Sequence, residues 1–137
     1  MIDIENKVID TISQAFDGVA KVSSVFVESP DEFPWVYVRQ ITNAGYSRSY
    51  DNRLRDHHAR VTFRIEYYSA LDAGAKQEVK ALMQIGDETM QSMKFRRTSS
   101  NLIPNWDRTI ARGYADYSAV VGEPVEVGND TVFQMYR

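Results

Sequence analysis

Ala59-Arg60-Val61-Thr62-Phe63-Arg64-Ile65-Glu66-Tyr67-Tyr68 alternates without a break. Successive side chains on an extended chain point to opposite faces, so Val61, Phe63, Ile65 and Tyr67 share one side and Arg60, Thr62, Arg64 and Glu66 the other. Such a strand belongs to a sheet with one covered face and one polar face. The cover follows in the chain. Ser69 to Gly74 leads into Ala75 to Met93, where Val79, Leu82, Met83, Gly86, Met90 and Met93 recur at helical spacing. Asp72 or Ser69 is placed to cap that helix. Leu82, Val79 and Met90 are expected to meet Val61, Phe63 and Ile65 in one core.

Residues 2–16 read as a second amphipathic helix on Ile4, Val8, Ile12 and Ala15, with Asp17-Gly18 as its stop. Residues 19–28 are rich in Val and Phe and read as a strand, and Ser29 to Pro34 as a turn. Trp35 to Ile41 alternates, with Val36 and Val38 opposite Trp35, Tyr37 and Arg39. Beyond the second helix, Phe95 to Ser100 is a candidate strand and Asn101 to Asp107 a loop. Thr109 to Val121 is a long strand with Ala111, Gly113, Ala115, Tyr117 and Ala119 on one face. Small residues there let a helix or a neighbouring subunit pack close. Gly122-Glu123-Pro124 and Gly128-Asn129-Asp130 are turns, and Thr131 to Tyr136 is a final strand.

The order helix-strand-strand-strand-helix-strand-strand-strand predicts an α+β fold: a largely antiparallel sheet with two amphipathic helices packed on one face. The 137 residues suit a single domain over 1–137. The chain has no Cys, which removes disulfides, thiolate metal sites and Cys nucleophiles together. No apolar run approaches the ~20 residues of a membrane span, and the acidic start Met1-Ile2-Asp3-Ile4-Glu5 is unlike a secretory signal. A chain that stays in the cell that makes it is expected.

Net charge is −3, which argues against general duplex-DNA binding. The charge is segregated. Residues 1–34 hold seven acids and two bases, a balance of −5, whereas residues 39–64 hold six arginines and two aspartates, a balance of +4. Matched patches of opposite sign suit contacts within the fold or between copies.

Thr42 to His57 has neither period and is long for a connection between strands. Its Tyr46, Arg48, Tyr50, Arg53 and Arg55 are of the types enriched in protein interfaces, and an Arg/Tyr-rich arm at 42–57 that contacts a neighbouring subunit is expected. Stacking on single-stranded bases is the competing use of such residues, weakened by the acidic chain.

Asp56-His57-His58 resembles a metal-dependent phosphoesterase motif, but that family needs further aspartates on other strands and a much longer, two-domain chain, and adjacent His residues on a strand point to opposite faces. Two surface histidines explain it better, and no metal or cofactor is expected. Glu66 and Asp116 are the candidate paired carboxylates; a solvated sheet face accounts for them equally well. No nucleophile, base and stabiliser converge, so no enzymatic activity is expected.

Phe33-Pro34-Trp35-Val36-Tyr37-Val38, the Arg/Tyr-rich arm, Arg60-Val61-Thr62-Phe63-Arg64-Ile65-Glu66-Tyr67-Tyr68-Ser69, the long second helix and Asn101-Leu102-Ile103-Pro104-Asn105-Trp106-Asp107 before an alternating strand together resemble a family. It is the tail-terminator, or tail-completion, proteins of long-tailed phages, and the likeness runs over nearly the whole chain. Neck and head–tail joining proteins are similar in size and layout. The resemblance implies a structural virion protein assembled in the host cytoplasm and located at the tail–neck junction. It would form a homohexameric ring on the tail tube protein, end tube growth and present a surface to the head connector or neck protein. DNA would only pass through the lumen. The family has no catalytic residues to carry over.

Overall fold

The computed structural model describes residues 1–25, 32–45, 58–70, 72–103, 110–128 and 130–136. Helix α1 spans Glu5–Ala15. Strands β1 (Lys21–Ser23), β2 (Trp35–Gly45) and β3 (His58–Ser69) follow. A 3-10 turn, Asp72–Gly74, leads into α2 (Ala75–Ser92), and then come β4 (Arg96–Ile103) and β5 (Ala111–Gly122). The C-terminal stretch holds three short strands, β6 (Val125–Val127), β7 (Asp130–Val132) and β8 (Met135–Tyr136).

The main sheet runs β1-β2-β3-β5-β4, with β8 pairing the end of β5. All of its pairings are antiparallel except β1 with β2, which is parallel. The fold is therefore α+β with a mostly antiparallel sheet. β6 and β7 form a separate two-stranded hairpin.

β3 is the centre. Every residue from His58 to Ser69 pairs with β5, and its other edge pairs β2 down to Gly45–Ala59. Val61, Phe63, Ile65 and Tyr67 are fully buried, as are Val79 and Met90 of α2, with Leu82 2% exposed. The alternation in β3 therefore places its apolar face as expected. α1 adds Val8 and Ile12 to the same core, joined by Ile4 and Phe16. Gly18 closes α1 with φ of 76°, the left-handed conformation that its sequence position suggests.

Several boundaries differ from the sequence reading. β2 continues to Gly45, so Thr42 to Gly45 belong to a strand and not to the arm. A register shift between Gln40 and Thr42 restores the pairing with β3, and this irregularity hides the period in the sequence. Asn101 to Ile103 extend β4 instead of starting a loop. The single C-terminal strand read at Thr131 to Tyr136 is divided between β7 and β8. The N-cap of α2 is Gly74 without a side-chain bond, and the Ser69 hydroxyl donates to Glu78 at 2.7 Å; the Asp72 side chain lies outside the described ones.

Candidate functional site

The strands place two kinds of surface on the sheet. α2 covers the face of Phe63, Ile65 and Tyr67. The close approach that the small residues of β5 allow is made by this helix: an added Cβ at Gly113 would stand 3.0 Å from Val79 and from Met83. The opposite face carries no described helix. Cross-strand register aligns its side chains in rows: Trp35, Tyr68 and Arg112; Tyr37, Glu66 and Tyr114; Arg39, Arg64 and Asp116.

Ion pairs knit this face together. The Arg64 guanidinium binds Asp116 in a fork, Nε to Oδ1 at 2.8 Å and Nη2 to Oδ2 at 3.0 Å. Two parallel charge-assisted bonds fix orientation as well as attraction. Arg64 also lies over the Tyr114 ring at 4.9 Å. Arg112 donates to Glu66 at 2.6 Å and lies 5.4 Å from the centre of the Tyr68 ring. Burial raises the Tyr68 phenol above its usual range, against the opposing pull of Arg112. The Asp116 hydrogen bond holds the Arg64 charge in place over the cost of burial.

Glu66 and Asp116 thus do not pair with each other. Each belongs to its own arginine, and Glu66 is not solvated: it is 5% exposed. The rows explain the difference. Period two assigns Glu66 to the polar face, but Tyr37 and Tyr114 stand on either side of it in neighbouring strands. Trp35 and Tyr37, on the same face, are only 7% and 9% exposed. The Arg39 Nε is buried with no hydrogen-bond partner among the described residues.

The expected interface residues Tyr46, Arg48, Tyr50, Arg53 and Arg55 lie outside the described residues. Their segment joins β2 to β3, and its flanks are fixed by the Gly45–Ala59 pair. Asp56 and His57 are outside too. His58 begins β3 with its ring edge-on to Tyr136 at 5.4 Å. Among the described residues no three His, Cys, Asp or Glu side chains come together as a metal site. Among them no helix is long and apolar enough to cross a membrane.

A groove of about 550 Å³ lies between the start of α1, the end of α2 and the C-terminal segment. Ile4, Met93, Phe133 and Met135 give it an apolar lining, with Lys7 and Lys94 also lining it. No sequence signal marked it, because its walls come from three distant parts of the chain.

Comparison of the chain with protein-family models and with curated proteins finds no match.

Proposed function

We propose that this chain is a structural assembly protein of the phage tail-terminator kind. Copies form a ring, six by the family resemblance, that caps the tail tube, ends its growth and meets the head connector. The observation that carries this reading is the helix-free sheet face. It holds the half-buried Tyr68 and Tyr114 among Arg39, Arg64 and Arg112, beside the buried Trp35 and Tyr37, with carboxylates already ion-paired in place. Aromatic and Arg side chains held in fixed orientations are what protein contacts favour, since little rotamer freedom is lost on docking.

The charge layout supports a ring over a symmetric pair. The described part of the N-terminal segment carries Asp3, Glu5, Asp10, Asp17 and Glu32 against Lys7 and Lys21. The polar face of β2, β3 and β5 carries Arg39, Arg60, Arg64 and Arg112 against Glu66 and Asp116. Unlike patches on one domain favour head-to-tail contacts, which close into rings.

Electron microscopy of particles made without the protein tests the reading. Heads and tubes that fail to join, with tubes of abnormal length, are expected. Normal tails already joined to heads overturn it. Tubes of normal length beside unattached heads move the assignment to the neck or head–tail joining proteins.

A further inference from the structure

Among the described residues the β6–β7 hairpin pairs only with itself. Val125, Glu126, Val127, Asp130, Thr131 and Val132 are all exposed, and the hairpin pairs with no strand of the main sheet. Its valines are 51%, 59% and 41% exposed at positions 125, 127 and 132. It follows directly on Gly122, which pairs with His58 at the last position of the β3–β5 ladder, so it leaves from the end of the sheet. A lone two-stranded hairpin is marginal in water and needs a further strand or a covering surface. Both of its outer edges have backbone groups to satisfy.

The same domain offers a matching surface elsewhere. β4 closes the main sheet on one side, pairing only with β5 among the described strands. Arg96 to Asn101 are exposed along it. The register shift between Arg97 and Ser99 leaves Ser99 to Ile103 as a regular run whose outer edge no described strand pairs. The charges are complementary. Residues 122–133 carry Glu123, Glu126 and Asp130 and no base; residues 94–103 carry Lys94, Arg96 and Arg97 and no acid.

We infer that the β6–β7 hairpin of one copy adds to the outer edge of β4 in the next copy, making the head-to-tail contact of the assembly. The inference rests on the ring-forming reading and names a contact for it. Strand addition supplies backbone hydrogen bonds to both edges, which the apolar groove beside α1 does not. The acidic hairpin against the basic edge sets direction and register. The two patches differ, so each copy uses its hairpin on one side and its β4 edge on the other.

The absence of Cys makes a direct test clean. Val127→Cys combined with Ser100→Cys, oxidised at high protein concentration, is expected to give a ladder of covalently linked copies. Val127→Cys with Gln77→Cys on the exposed side of α2 is expected to give no ladder. Charge reversal supplies the second arm. Chains with Glu126→Lys and Asp130→Lys, or with Arg96→Glu, are each expected to lose association by on the order of tenfold in sedimentation. Mixing the two variants restores it, because reversed hairpins then meet reversed edges and native ones meet native ones.

Variants that associate as well as the native chain, or cysteine pairs that fail to link, overturn the hairpin contact. Native chains that assemble regardless would leave the ring reading standing without it. Conversely, linked rings that leave tube length unchanged would sink the terminator reading and keep the contact.

Discussion

Gly86 sits in the middle of α2, where glycine costs a helix about 1 kcal/mol relative to alanine. The reason for it is across the interface. A Cβ at this position would overlap the Tyr67 hydroxyl and stand 2.9 Å from Tyr67 Cζ. Tyr67 is fully buried on β3, packed beside Phe16 with ring centres 6.2 Å apart, so it has little room to retreat. Gly86→Ala is therefore expected to destabilise the fold by about 1–3 kcal/mol, the usual cost of overpacking, despite the better helix propensity of alanine. In a Tyr67→Phe background the same change is expected to cost less, since the overlapping oxygen is gone. Denaturant midpoints of the four chains measure this coupling; equal costs in both backgrounds refute it. From the sequence, Gly86 is legible only as a member of the apolar stripe. Its partner lies 19 positions earlier on another element (86 − 67), and no local pattern names it.

At the scale of elements, what the sequence makes legible is what repeats. β3 and α2 each carry their period over several turns or pairs, and both lie where those periods put them. Elements defined by a partner are harder to read. β1 holds Lys21 to Ser23, the described residues that pair with β2. β8 holds two residues because it pairs only at Val120 and Val121. The polar face is legible as a face but not as a closed network, since the Arg112–Glu66 contact depends on register between strands. Tyr67 and Tyr117, from β3 and β5, lie in the same core as α2. Burial first, and then the nearby Asp87 carboxylate to which its hydroxyl donates at 3.1 Å, raises the Tyr117 phenol well above its usual range. Burial raises Tyr67 likewise. The folded chain thus keeps phenolic protons that the unfolded chain releases above about pH 10. Stability is expected to hold steady through neutral pH and to fall as pH rises past roughly 10. Comparing denaturant midpoints near pH 8 and pH 11 tests this, with Tyr117→Phe losing less across the interval. Equal losses in both chains would remove Tyr117 from the account.

At the scale of the whole molecule, the segment 46–57 and the acidic hairpin are rooted at the same end of the sheet. Gly45 pairs with Ala59, Ala59 with Val121, and His58 with Gly122. One end of the sheet thus holds both flanks of the Arg/Tyr-rich connection and the route to β6. A terminator must match the tube on one side and differ on the other, and a ring of one asymmetric domain does so by facing all its copies the same way. The contacts that hold such a ring are many and individually modest, so reversing a charged cluster should matter more than removing any single group. Arg53→Glu with Arg55→Glu is expected to abolish ring formation while the chain stays folded, as sedimentation and circular dichroism together would register. Unchanged rings would free this segment from the subunit contact. Replacing His57 and His58 by Ala in the same assay is expected to leave assembly intact, because no chemistry is assigned to either. The contrast is the discriminating result. A surface that works by charge and shape responds to the arginines and ignores the histidines, whereas a metal or catalytic site at Asp56-His57-His58 would respond the other way round.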